Sequence, residues 1–218
     1  MSVSDVYGNY YDKYRSKNPA TRWFVSGFLS AWHDLVAVSA SMCPVKRLLE
    51  VGCGDGFLLE RTVQVISPAD DNFETSVIGV GVEPGMDVLI TGHQLYSSRL
   101  HACGSIFALP FPDAAFDLVT IPEVFEHLED PRSGLLETIR VSNRFILASV
   151  PWEPVWRGLN LVRGAYWSTL GNTPGHIGHF SRREFIRFMS NGLRIVAIRR
   201  PFPWTIILAE KTVERRDG

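Results

Sequence analysis

A doubly wound α/β sheet is the fold that the sequence predicts, and three stretches predict it. Leu48 to Gly56, LLEVGCGDG, reads as an apolar strand, a tight turn and the start of a helix, with glycines at 52, 54 and 56. Val77 to Glu83, VIGVGVE, is apolar and β-branched with no alternation of polar positions, the pattern of a central parallel strand buried on both faces. Leu193 to Arg200 and Thr205 to Lys211 are two further strand-like runs joined by the turn PFP, which makes them a hairpin.

The other elements follow in chain order. Residues 1–46 form an arm and a helix: YGNYYDKYRSKNP carries no sustained apolar period and reads as an ordered arm or short helix before Pro19. Trp23, Phe24, Phe28, Trp32, Leu35 and Val36 then recur at spacings of three and four, so a helix from about Ala20 to Ala40 should pack an apolar stripe on the core. Residues 47–150 are the strand–helix core. Its first strand is Arg47 to Gly52, followed by a helix from Asp55 to Val65 and a polar, acidic loop from Pro68 to Glu74. A short third strand lies around Arg99 to Cys103, a fourth from Phe116 to Ile121 and a fifth from Asn143 to Val150. Asp130 and Pro131 set the start of a helix that continues through Leu135 to Val141.

Residues 151–180 are a long insertion, dense in Trp152, Trp156, Arg157, Arg163, Tyr166 and Trp167. It follows the carboxyl end of a parallel strand, where open α/β sheets bind ligands, and it is too aromatic for disorder. We expect it to be a lid; a helical cover over the sheet and a face leaning on a membrane are the other two readings. In residues 181–212, Ser181 and Glu184 form a capping box that opens a helix to about Ser190, Asn191 and Gly192 end it, and the hairpin follows.

The 218 residues, 45% apolar and 21% charged, suffice for one well-buried domain and are short for two. The net charge of −1 hides an asymmetry: residues 1–150 hold 11 Lys+Arg against 18 Asp+Glu, and residues 151–218 hold 11 against 5. The basic third can meet an anionic acceptor, although an unevenly charged solvated surface is the plainer reading. No extended basic stripe is visible, which disfavours nucleic acid. Cys43, Cys53 and Cys103 are odd in number and contain no C-x-x-C pair, against both a disulfide framework and a zinc site. No basic and then apolar leader opens the chain, and the apolar stretch Trp23 to Met42 is interrupted by His33 and Asp34. A soluble cytoplasmic protein with no transmembrane segment is expected; composition leaves the oligomeric state open.

The glycine spacing carries the chemistry. A dinucleotide fingerprint reads G-x-G-x-x-G with its acid about 20 residues on; here the spacing is G-x-G-x-G, Glu50 precedes it and Glu83 lies 31 positions after Gly52. A carboxylate at the end of the second strand can accept two hydrogen bonds from the vicinal hydroxyls of a ribose. With the turn LPFPD at Leu109 to Asp113 and EVFEHLEDP from Glu123 to Pro131, these features resemble the class I S-adenosylmethionine-dependent methyltransferases, in particular the small bacterial type 11 group.

That resemblance implies a Rossmann-like seven-stranded sheet of order 3-2-1-4-5-7-6 with strand 7 antiparallel, and S-adenosylmethionine as cofactor. It places Glu50, Gly52, Cys53, Gly54, Gly56, Glu83, Pro84, Ser105, Ile106 and Ile121 at the cofactor, with Glu50 near the amino group and the glycine turn beneath the methionine part. One position departs from the family: an aspartate usual straight after the glycine of the third strand, for the adenine amino group, is Ser105 here, a weaker acceptor. The family's N-terminal arm covers the cofactor, which makes Tyr11, Tyr14 and Arg22 candidate contacts for the methionine carboxylate; plain packing of the tyrosines is the alternative. The insertion becomes the acceptor lid.

Methyl transfer is an in-line displacement, so alignment supplies most of the acceleration. A hydroxyl acceptor must also lose a proton, and His127, His176 and His179 are the candidate bases, unless they only bridge loops. Glu123, Glu126, His127 and His176 resemble in spacing the metal set of small-RNA 2′-O-methyltransferases, shared in part with ubiquinone-pathway O-methyltransferases; a carboxylate that merely orients His127 is the alternative to a divalent metal. The expected function is methyl transfer to a hydroxyl of a small molecule, glycan or lipid-linked sugar. An amine of a secondary metabolite, a non-catalytic cofactor-binding module and a nicotinamide-binding protein are the rival expectations.

Overall fold

The computed structural model describes residues 13–67, 77–152 and 178–212. They build a seven-stranded sheet of order β3-β2-β1-β4-β5-β7-β6. The strands are β1 (Arg47–Val51), β2 (Ile78–Glu83), β3 (Leu100–Cys103), β4 (Phe116–Pro122), β5 (Ser142–Pro151), β6 (Leu193–Arg199) and β7 (Trp204–Lys211). The first five run parallel, and β7 enters antiparallel between β5 and β6, pairing Leu147 with Leu208 on one side and Ile198 with Ile207 on the other. This is the predicted order, and its antiparallel strand separates it from the all-parallel 3-2-1-4-5-6 sheet of nicotinamide-binding domains.

Helices cover both faces. On one, α1 (Pro19–Met42) and α2 (Phe57–Ile66) bury Phe28, Trp32, Leu35, Leu58 and Leu59 against Leu48, Leu118, Leu147 and Leu208. On the other, α4 (Pro131–Val141) and α5 (Arg182–Met189) bury Leu135, Val141, Phe185 and Met189 against Leu49, Val119, Ile146 and Ile207. Adjacent strand residues thus serve opposite cores, as pleating requires.

Local chemistry explains the ends. Asn18 caps α1, its side chain accepting from Ala20 N (2.9 Å) and Thr21 N (3.3 Å), with Pro19 at the first helical position. Asp130 caps α4 through Ser133 N, and Ser181 and Glu184 form the predicted capping box of α5. Two readings need correction. Trp23 was expected on the buried stripe of α1 but is 69% exposed, because the first turns of that helix stay largely open to solvent; it meets the Phe24 ring edge-on at 5.1 Å instead. Helix α3 (Met86–Leu95) went unread, since Thr91, Gly92 and His93 break its apolar period.

One packing detail ties the central strands to the turn above them. A Cβ on Gly81 of β2 would stand 2.6 Å from Cys53 Sγ, so the glycine is the space the cysteine fills. No described helix is long and apolar enough to cross a membrane.

Candidate active site

The turn that follows β1 is pinned from below and open above. Val82 O accepts both Gly52 N (2.8 Å) and Cys53 N (3.1 Å), fixing the turn to the end of β2. Gly52, Gly54 and Gly56 take φ values of 72°, 53° and 81°, which L side chains rarely adopt. A Cβ on Gly52 would come within 2.4 Å of Val124 Cγ2, whereas above Gly54 no atom lies within 4 Å. The turn therefore offers bare backbone to a ligand at Gly54. Cys53 turns its side chain down into the sheet, where burial raises its thiol pKa, so only its backbone faces the turn.

Two carboxylates flank this surface. Glu83, at the end of β2, is 9% exposed and accepts the N–H of Gly54 at 3.1 Å. Burial raises its pKa, opposed by the backbone N–H groups of Gly54 and Gly85. Glu50 in β1 is fully buried; its Oε2 accepts from Thr120 Oγ1 at 3.2 Å, and its Oε1 has no hydrogen-bond partner among the described residues. Burial pushes its pKa up to about 8. An open glycine cradle, an acid beside it and a buried carboxylate oxygen lacking a donor fit a ligand with a ribose diol and an ammonium group. S-adenosylmethionine has both.

The remaining predicted cofactor positions divide. Pro84 and Ser105 are exposed, and Ser105 Oγ accepts from Phe107 N at 3.3 Å, a local turn contact that occupies part of its capacity. Ile106 and Ile121 are 7% and 0% exposed core side chains, so what they can offer a ligand is backbone.

The arm reaches this mouth. Tyr14 stacks on Phe57 at 4.8 Å, and Arg15 pairs with Asp55 of the glycine turn at 2.8 Å. Lys13, which sequence reasoning missed, pairs its ammonium with Glu123 just beyond β4 and lies 5.2–5.7 Å from the ring centres of Tyr14, Trp204 and Phe28. Burial pushes its pKa down to about 8, against the attraction of Glu126. A lone lysine between charged and tyrosine residues gives no periodic signal. Arg22 lies exposed on α1, and Tyr11 falls outside the described residues.

Just beyond β4, Glu123 holds φ of 54° with its N–H on Ser149 O at 3.0 Å. His127 ends the 3-10 turn Phe125–His127, and Gly178 N donates to Glu126 O at 2.9 Å, bringing the backbone of His179 beside that turn. Both histidines are exposed. Trp152, where the insertion begins, donates its backbone N–H to Pro203 O at 2.8 Å and lies beneath the Arg182 guanidinium at 3.8 Å. His176, Trp156, Arg157, Arg163, Tyr166 and Trp167 fall outside the described residues. Among the described residues no cluster of three or more His, Cys, Asp or Glu can hold a metal, and the Glu123 carboxylate of the candidate metal set is paired with Lys13.

The core of the chain is similar to known methyltransferases. Residues 49–144 match the family model described as a methyltransferase domain. An uncharacterized methyltransferase of Schizosaccharomyces pombe is 35% identical over 107 residues, covering 44% of this chain and 36% of its own length. The mitochondrial ubiquinone biosynthesis O-methyltransferase of the same organism is 29% identical over 111 residues, covering 48% and 38%. The chain thus spans well under half the length of these curated relatives. Among solved structures, magnesium protoporphyrin IX methyltransferase from Synechocystis PCC 6803 with bound SAH superposes with a TM-score of 0.65 at 16% identity, covering 92% of this chain and 94% of that one.

Proposed function

We propose that this chain, a class I S-adenosylmethionine-dependent methyltransferase, transfers methyl to a hydroxyl of a small molecule, glycan or lipid-linked sugar. The observation that carries the reading is the open turn at Gly54 with Glu83 bonded to it, beside the mouth where His127 and His179 lie exposed. Similarity of the core to a ubiquinone biosynthesis O-methyltransferase is in keeping with oxygen as the accepting atom, and similarity to a ubiquinone/menaquinone C-methyltransferase makes carbon the alternative.

The cofactor, when bound, supplies an electrophilic sulfonium methyl. The chain's own residues do the rest. Glu83 would hold the ribose diol, the Gly52–Gly56 backbone the methionine part, and Glu50 Oε1 its amino group. Tyr14 and Arg15 hold the arm against the turn and its helix, and Lys13 holds it to Glu123, while His127, His176 or His179 would take the acceptor's proton.

One observation favours an amine instead. The Lys13 ammonium sits beside Glu123 and three ring faces, so this mouth already accommodates a cation. Incubating a cell extract with the protein and methyl-labelled cofactor, then identifying the labelled product by mass spectrometry, separates the two. An O-methyl product supports the proposal; an N-methyl product replaces it; and tight cofactor binding without turnover over a broad acceptor panel would make the protein a cofactor-binding module.

A further inference from the structure

The strongest surface feature unrelated to the glycine turn lies where α1 meets the β6–β7 turn. Trp23 is 69% exposed and Phe202 40%, and the two are joined through Phe24, whose ring lies 5.1 Å from Trp23 and 5.6 Å from Phe202. Beside them runs a groove of about 340 Å³ floored by Gly27 and Ser30 and walled by Pro201. Nothing stands within 4 Å above Gly27.

The described segments that carry this patch are basic. Lys17, Arg22 and Arg200 are exposed, and neither the segment from Lys13 to His33 nor the turn from Arg199 to Trp204 contains an aspartate or glutamate. Asp34, the first acid after the patch, is paired with Arg199 at 2.6 Å. Exposed aromatic rings on segments that carry exposed cations are the composition of a surface that inserts at the headgroup level of an anionic bilayer, the rings entering the acyl boundary and the cations meeting phosphate.

Position links the patch to the candidate site. Phe202 is followed by Pro203, whose carbonyl holds Trp152 where the insertion begins, and by Trp204, over whose ring the Lys13 ammonium lies. A membrane touching Trp23 and Phe202 therefore borders the mouth.

We infer that Trp23, Phe24 and Phe202, with Lys17, Arg22 and Arg200, dock the protein on an anionic lipid surface, so that the methyl acceptor is a lipid-anchored molecule presented from that surface. The substrate class rests on the proposed methyltransferase function; the docking does not.

The experiment is co-sedimentation of the full chain with vesicles of phosphatidylcholine alone and with roughly one third phosphatidylglycerol, at low and high salt, alongside calorimetric titration with S-adenosylmethionine. The protein should sediment with the anionic vesicles and partition at least about tenfold less to neutral ones or in high salt. Trp23→Ala/Phe202→Ala, and separately Lys17→Glu/Arg200→Glu, should each lower partitioning about tenfold with cofactor affinity unchanged. Wild-type protein that stays in solution beside anionic vesicles overturns the docking, as does a Trp23→Ala/Phe202→Ala variant that sediments normally. So does wild-type protein that is dimeric and released to monomer by that variant without vesicle binding. Vesicle binding without cofactor binding would instead overturn the methyltransferase reading and leave the docking.

Discussion

Glu83 Oε2 lies 3.1 Å from the backbone nitrogen of Gly54 and accepts its N–H, so the acid that ends β2 is bonded to the turn that follows β1. The two parts of the candidate cofactor surface are therefore one unit. Moving the acid loosens the glycine turn, and loosening the turn leaves a mostly buried carboxylate short of a donor.

Glu83→Ala should weaken S-adenosylmethionine binding by about 1.5 to 3 kcal/mol, the range for a hydrogen bond to a charged group, with the fold intact. Calorimetry that finds an unchanged dissociation constant removes Glu83 from the ribose.

Glu50 makes stability depend on pH. Its folded pKa of about 8 lies above the ordinary 4.5, so between these values the native state keeps a proton that the unfolded chain has lost. Its stabilising contribution is whole below about pH 4.5, falls by roughly 1.4 kcal/mol per unit as pH rises, and levels off near pH 8. Urea unfolding of wild type and Glu50→Gln at intervals across that window should show the wild-type slope flattened in the variant; parallel curves would contradict it. The same proton should leave when an ammonium group binds beside Oε1, so cofactor titration in buffers of different ionisation enthalpy should register proton release near pH 7.

Lys13 and Glu123 should behave as a part-buried pair, their side chains being 14% and 19% exposed. Glu123→Ala leaves the ammonium among rings with the attraction of Glu126 and should cost about 1.5 to 3 kcal/mol, while Lys13→Met/Glu123→Ala should recover a large part of that loss. A double-mutant cycle by chemical denaturation measures the coupling, and additive single effects would show that the arm is held elsewhere.

For the histidines, His127→Ala, His176→Ala and His179→Ala are each expected to test the base in steady-state kinetics. Loss of the residue that takes the acceptor's proton should lower kcat by about 10² to 10⁴ with cofactor affinity unchanged. If all three retain near-full rate, the acceptor needs no base, and alignment alone accounts for turnover.

The sheet was legible because its signals are local and repeated. Val77 to Glu83 is apolar on both faces, Gly52 to Gly56 can only turn, and Ser181 with Glu184 announces a helix start. What escaped depends on contacts distant in sequence. Lys13 meets Glu123 across 110 positions, and nothing near either residue encodes the other. Trp23 has the right spacing for a buried stripe, yet spacing cannot say where along a helix the core ends. Ile106 and Ile121, placed at the cofactor by the family resemblance, have side chains that fill the core, so their contact with a ligand would be through backbone.

The contact between Gly81 and Cys53 bears on how such a chain can change over generations. Alanine at 81 would push its methyl carbon to 2.6 Å from the sulfur, so the substitution is admissible only in a lineage that has already shortened residue 53. Position 53 lies inside the turn and position 81 inside β2, so the two should be inherited as a correlated pair. Drift at the turn is thereby tied to a strand residue two positions before Glu83.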